Sequence, residues 1–264
     1  MSAADNVFAR PVDAYMTTHL ETASLDTSVE VLARTLHLRG VSSLPILDEA
    51  GHLAGIVTRT NLIALGALQA GRRGASPAMP MPNRRAKDIM VTDVVSVTSH
   101  TSMRVAARLM ATKHFHRVYV VDDGTLVGVF SAIDVARAMR DARSEQTLAS
   151  IMTTPIVTID VHMPLSAAID ELERLHVTGL IVTADGLPVG MLTQDDALAA
   201  RDLPRSTPVE DVYDAAVICL PAETRLHRAA AHIAQIAVRR VVACRGAEAV
   251  GIVTSFDLVK YVAH

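Results

Sequence analysis

The sequence predicts an α/β fold: four copies of a small strand-helix-strand-strand-helix unit, paired into two modules. Three observations predict it. A seven-residue signature (Gly, two apolar residues, Ser or Thr, two variable residues, then Asp or Asn) recurs as Gly55 to Asn61, Gly128 to Asp134, Gly190 to Asp196 and Gly251 to Asp257. A Met or Tyr stands upstream at a fixed spacing: Met90, Met152 and Tyr213 precede their Gly by one identical interval, and Met16 precedes Gly55 by a single position more. An apolar anchor follows that residue at the same separation in every copy, at Val29, Met103, Leu165 and Leu226. A fixed internal period decides the organisation of a chain before any local reading does. The one slip, in copy one, falls in the turn Asp48 to His52, against the tighter Asp122 to Gly124. Turns tolerate insertions best.

Each unit reads the same way from its start. A short helical turn ends at the Met or Tyr: Val12 to Met16, Ala86 to Met90, Leu148 to Met152 and Val209 to Tyr213. A short extended segment follows, as in Val95 to Thr98 and Ile156 to Ile159. Next comes an amphipathic helix. Met103, Ala106, Ala107 and Met110 in copy two have i, i+3, i+4, i+7 spacing, which places them on one face. Leu165, Ala168, Ile169 and Leu172, then Leu226, Ala229, Ala230 and Ile233, repeat it. A continuous apolar strand succeeds it (44–47, 118–121, 180–182, 241–243), then a turn and the signature strand. The last helix begins at the signature hydroxyl.

One such unit has little core of its own, so pairing is expected. The units are read as 12–66, 86–140, 148–201 and 209–264, with one plus two and three plus four as modules. Residues 67–85 are rich in Gly, Pro and Ala and carry Arg72, Arg73, Arg84 and Arg85. They read as a flexible linker.

Composition narrows the function classes. Half of the 264 residues are apolar and a fifth are charged, which is a globular balance. Aromatics are 3% with no Trp, so stacking platforms for single-stranded nucleic acid are not expected. A net charge of -3 disfavours a nucleic-acid or anionic-membrane surface. Cys219 and Cys244 sit in apolar runs without metal-ligand spacing and read as buried free thiols of a reducing compartment. No apolar run approaches the roughly 20 residues that span a bilayer, and no signal peptide is visible, so the chain reads as cytoplasmic. His100, His114, His116 and His162 share no ligand spacing, so no metal is expected. No catalytic constellation is visible, so an enzyme is not expected.

The signature residue types have physical reasons. Glycine lets a ligand or neighbouring backbone approach the strand closely. The hydroxyl of Thr58, Ser131, Thr193 or Thr254 falls where strand becomes helix, so it can cap the helix, and amides there also suit a phosphate. The side chain three residues on, Asn61, Asp134, Asp196 or Asp257, can accept two hydrogen bonds of the kind a ribose diol offers. The same pair is also a capping box, which needs no ligand.

The period, the upstream Met and the Gly-x-x-Ser/Thr-x-x-Asp ending resemble the cystathionine-β-synthase (CBS) domain, which pairs into a Bateman module. The resemblance covers residues 12 to 264. It implies two modules, similar in layout to the regulatory γ-subunit of AMP-activated kinase, in a disk-like assembly. It further implies a stand-alone regulatory sensor that binds AMP, ADP or ATP in clefts between paired units, with S-adenosylmethionine or NAD as alternatives. The adenine nucleotide would be a regulatory ligand, with no obligatory cofactor, and the listener an unidentified effector protein. In that family the position before the middle strand often supplies basic groups to ligand phosphates. Here it holds His116-Arg117 in copy two and Arg239-Arg240 in copy four, but Ser42-Ser43 in copy one and Thr178-Gly179 in copy three. Cationic forks suit phosphate oxygens. Asp134 and Asp257 therefore mark the preferred sites, then Asp196, then Asn61. A ligand-free scaffold whose signatures serve only as caps stays open, as do a homodimer and nucleic-acid contact through Arg72 to Lys87.

Overall fold

The structure is a computed structural model that describes residues 3–59, 61–62, 83–175, 177, 179–200, 203–236 and 238–264. Residues 67–82 of the expected linker, with Arg72 and Arg73, lie outside the described residues, and so does Thr178. The chain forms two compact units, one of residues 10–131 and one of 1–9 with 132–264.

Among the described residues, four three-stranded sheets follow one plan. They are β1 (Ala23–Ser24), β2 (Ser43–Leu47) and β3 (Leu53–Thr58); β4 (Ser96–Val97), β5 (Arg117–Asp122) and β6 (Thr125–Ser131); β7 (Thr158–Asp160), β8 (Gly179–Ala184) and β9 (Leu187–Thr193); and β10 (Cys219–Pro221), β11 (Arg240–Arg245) and β12 (Glu248–Thr254). In each sheet the first pair is parallel and the second is an antiparallel hairpin. The parallel pair is possible because a helix makes the crossover. The crossover helices are α2 (Val29–Leu38), α4 (Met103–Lys113), α6 (Leu165–Arg174) and α8 (Leu226–Ile236), each starting at its apolar anchor. The hairpin between β5 and β6 turns at Asp123 and Gly124, both with positive φ, and Asp185 and Gly186 repeat it. This is the left-handed pair that a two-residue turn needs. Further α-helices among the described residues are α1 (Ala3–Phe8), α3 (Ala86–Ile89), α5 (Ala132–Ala142), α7 (Gln194–Ala199) and α9 (Ser255–Ala263).

The upstream Met or Tyr is the key to pairing. In every pair, the residue after it meets the residue after the partner copy's signature Gly in an antiparallel bridge: Thr17 with Val129, Val91 with Ile56, Thr153 with Ile252, Asp214 with Met191. Each bridge closes two backbone hydrogen bonds, at 2.9 Å in all but the Ile252 amide to Thr153 carbonyl bond, which is 3.3 Å. Such bonds contribute about 1 kcal/mol apiece. The side chain then lies over the glycine. A Cβ built on Gly55 would stand 2.8 Å from Met90 Sδ and 2.8 Å from the Val91 carbonyl; one on Gly128 would stand 2.7 Å from Met16 Sδ. Gly190 faces Tyr213 and Gly251 faces Met152 in the same way. The close approach expected at the glycine is therefore made by the partner copy.

The helix entries are shared too. The first amide of each crossover helix has no partner within its helix. It donates across the pair: Val29 to Arg84 O (3.0 Å), Met103 to Arg10 O (2.9 Å), Leu165 to Thr207 O (2.8 Å) and Leu226 to Gln146 O (2.7 Å). The cores mix copies accordingly. Ala86 joins Leu32, Leu36, Leu44, Ile46 and Val57, and Val209 joins Leu165, Ala168, Leu172, Leu180 and Leu192. In the second unit a further cluster, Ile181, Met191, Val242 and Cys244, joins β8 and β9 to β11. Cys244 is buried as expected, but Cys219 is exposed: it starts β10, a strand paired on only one side.

Helix α5 follows copy two in sequence yet belongs to the second compact unit, where it packs on α8, α9 and α1. Its Ala132, Val135, Ala136, Ala138, Met139 and Ala142 are all buried. Small residues on several sides let more than one neighbour approach closely.

Candidate functional site

The signature residues are built first as helix starts. Thr58 donates to Asn61 Oδ1 through its amide (2.9 Å) and hydroxyl (2.7 Å), and the Asn61 amide returns a bond to Thr58 Oγ1 (3.2 Å). Thr193 and Asp196 repeat this at 2.8, 2.6 and 3.3 Å, and Thr254 and Asp257 at 2.8, 2.7 and 3.2 Å. In these three copies the capping box is therefore formed, and one oxygen of the acid or amide receives both bonds from its Thr. The carboxylates of Asp134 and Asp257 are buried, and each meets a cation one turn on. Arg137 Nη1 lies 2.6 Å from Asp134, and Lys260 Nζ lies 2.9 Å from Asp257. Sequence reading did not single out Arg137 or Lys260. The signal was present in the i, i+3 spacing of acid and base. Asp196 and Asn61 are half-buried, and Ser131 ends β6 half-buried.

The basic positions fall into two groups. His116 and Arg239 are exposed, and the Arg239 carbonyl accepts from the Ser255 amide at the start of α9 (2.9 Å). Arg117 and Arg240 are half-buried and reach the partner copy at the equivalent position. Arg117 Nη1 donates to Ser43 Oγ at 2.8 Å, and Nη2 donates to Ser42 Oγ. Ser43 Oγ also lies 2.7 Å from Tyr119 Oη in a buried bond. Burial pushes the Tyr119 phenol above its ordinary value, opposed by the Ser43 bond and the nearby Arg117. It therefore stays neutral through the physiological range. In the second unit the Arg240 guanidinium carbon would lie 3.5 Å from a Cβ on Gly179. So the Ser42-Ser43 pair, which carries no charge, is hydrogen-bonded to the Arg117 of copy two. Two strands far apart in the chain had to be brought together for that to show.

Chemically, the cluster offers a guanidinium and three hydroxyls, a set suited to oxygen anions. Among the described residues no three His, Cys, Asp or Glu side chains gather as a metal site. Among the same residues no helix is long and apolar enough to cross a membrane.

Comparison with known proteins bears on the repeats and the fold. The CBS domain family matches residues 12–67, 86–141, 148–202 and 209–264. An uncharacterized 33.4 kDa protein of the Thermofilum pendens ribosomal RNA operon is 26% identical over 191 residues, covering 67% of this chain and 59% of that protein. The Methanocaldococcus jannaschii protein MJ1404 is 23% identical over 209 residues, covering 73% of this chain and 46% of that protein. The chain thus spans about half the length of these relatives. Among solved structures, a conserved protein from Pyrococcus horikoshii superposes with a TM-score of 0.68 at 22% identity, over 96% of this chain and 99% of that one. M. jannaschii MJ1225, proposed as an archaeal homologue of γ-AMPK, superposes with a TM-score of 0.75 at 17% identity, over 95% of this chain and 99% of that one. At such identities the likeness concerns the fold.

Proposed function

The chain belongs to the CBS domain family, four domains paired into two modules, and on that premise we propose that it is a regulatory nucleotide sensor and not a catalyst. It binds an adenine nucleotide of the AMP, ADP or ATP type between paired copies, needs no obligatory cofactor, and passes the bound state to an effector protein in the cytoplasm. The observation that carries this reading is the reach of Arg117 and Arg240 across each pair to the equivalent position of the partner copy. A phosphate held there contacts both copies of a module, so binding biases how they pack.

In this reading Ser131, His116 and Arg117 serve the first module, and Asp134, in the first turn of α5, is a further ligand-binding candidate. Thr254, Asp257, Arg239, Arg240, Thr193 and Asp196 serve the second, and Thr58 and Asn61 contribute least. Calorimetry with AMP, ADP, ATP, NAD and S-adenosylmethionine tests it. Saturable binding of an adenine nucleotide, weakened in Arg240→Ala, is the expected result; a folded chain that binds none of the five sinks the reading. The second reading, a ligand-free scaffold, is favoured by the three formed capping boxes and by the burial of Asp134 and Asp257. It predicts that Asp257→Ala loses stability while no ligand response exists to lose.

A further inference from the structure

We propose that Cys219 and Cys244 form a two-thiolate site for a soft monovalent metal cation of the Cu(I) class. The site uses none of the signature residues and does not rest on the nucleotide reading.

The two cysteines are far apart in sequence and meet because β10 pairs with β11 in parallel. Cys219 stands opposite Val242 in that register, so Cys244, two residues further on, points to the same face. The two thiols lie beside each other there. Cys219 is exposed and Cys244 is 7% exposed, so one ligand opens an entry path and the other is anchored in the core.

The other copies do not repeat the pair. Counting back from the signature Gly, the equivalents of Cys219 and Cys244 are Thr158 and Thr183 in copy three, and Ser96 and Val121 in copy two. With the extra residue in its turn taken into account, copy one has Thr22 and Leu47 there. In copy three the Thr183 hydroxyl donates to the Ile159 carbonyl at 3.1 Å. Copy four alone places two sulfurs at these positions.

The surroundings select the class of cation. Cys244 clusters with Ile181, Met191 and Val242, and Val217 and Ile252 pack against them. These side chains are apolar, with one soft thioether among them. A hard cation needs several oxygen ligands to replace its water, and zinc needs four donors. Thiolates select Cu(I), and a linear pair of them satisfies it. Binding releases both thiol protons to solvent and leaves one negative charge on the complex, at the edge that Cys219 opens to water. The cation would tie edge strand β10 to β11 on the face that joins copies three and four.

The test titrates Cu(I), supplied as its acetonitrile complex, into the reduced full chain without oxygen and against the chelator bicinchoninate. One Cu(I) per chain should leave the chelator, with a near-ultraviolet thiolate-to-copper band and only sulfur neighbours in copper-edge X-ray absorption. Cys219→Ser and Cys244→Ser should each abolish the band and weaken binding by more than the about 10–100-fold that loss of an outer-shell partner costs. Cys219→Ser, at the exposed position, carries the test if Cys244→Ser folds poorly. Excess Zn(II) should leave the band unchanged, and the chain should keep its elution volume on size exclusion when copper is added. No transfer of Cu(I) from the chelator overturns the proposal. So does a band that survives Cys219→Ser, displacement of copper by Zn(II), or a dimer that forms only with copper.

Discussion

At the scale of single residues, Asp257 is the most instructive side chain. It closes a capping box with Thr254 and accepts from Lys260, all while buried. Asp257→Ala removes every one of those acceptors and is expected to cost about 1–3 kcal/mol, read as a shift in denaturant midpoint. Asp257→Asn should cost less than half as much, because Asn61 performs the same cap in copy one with an amide oxygen. Equal losses in the two variants would mean that the Lys260 ion pair, not the cap, carries the effect. Cys219 gives a second prediction. Partial burial first, and the adjacent Cys244 thiol second, push its thiol up to about 11. The thiolate is the reactive form, so alkylation of Cys219 should be slow at pH 8 and still be rising at pH 10. An unhindered thiol has levelled off by then. The comparison uses Cys219→Ser as the blank, and a plateau near pH 9 would contradict the assigned shift.

At the scale of elements, the decisive feature is the bridge between each signature strand and the partner copy's entry segment. Gly55 sits under Met90 and beside the Val91 carbonyl, both 2.8 Å from any added Cβ. A thioether can swing away, but a bridged carbonyl cannot without breaking its bond to the Ile56 amide. Gly55→Ala is therefore expected to destabilise the chain by about 1–3 kcal/mol, with Met90→Ala recovering only part of it. Full recovery would show that the carbonyl yields and that the side chain alone sets the glycine requirement. The same reasoning explains why the fourth copy of the entry segment tolerates Tyr213 in place of Met: what matters is a flat or flexible apolar group over a glycine.

At the scale of the whole molecule, α5 changes where the chain divides. The repeat places it at the end of copy two, but its buried residues pack on α8 and α9 of copy four and on α1. A fragment of residues 132–264 should therefore stay monomeric and melt cooperatively. One of residues 144–264 exposes the apolar surface that α5 covers and should aggregate or melt at lower temperature. Size exclusion and thermal unfolding of the two fragments decide it, and identical behaviour would remove α5 from the second unit.

The sequence by itself determined the four repeats, the start of every crossover helix at its anchor, and the capping boxes of copies one, three and four. These are local or periodic properties: an apolar face at helical spacing, and a hydroxyl three residues before an acid, need no distant partner to be recognised. The sequence marks Asp134 and Asp257 as the signature acids and sets Arg137 and Lys260 at i, i+3 from them, but it does not show their burial, since burial depends on what packs above a helix start. Only the tertiary structure decided that the signature glycine faces the partner copy's Met or Tyr, and that α5 joins the second unit. It alone brought Ser42, Ser43 and Tyr119 to Arg117. Each of these joins residues of different copies, and the sequence pattern of one strand carries no record of which other segment will close on its face.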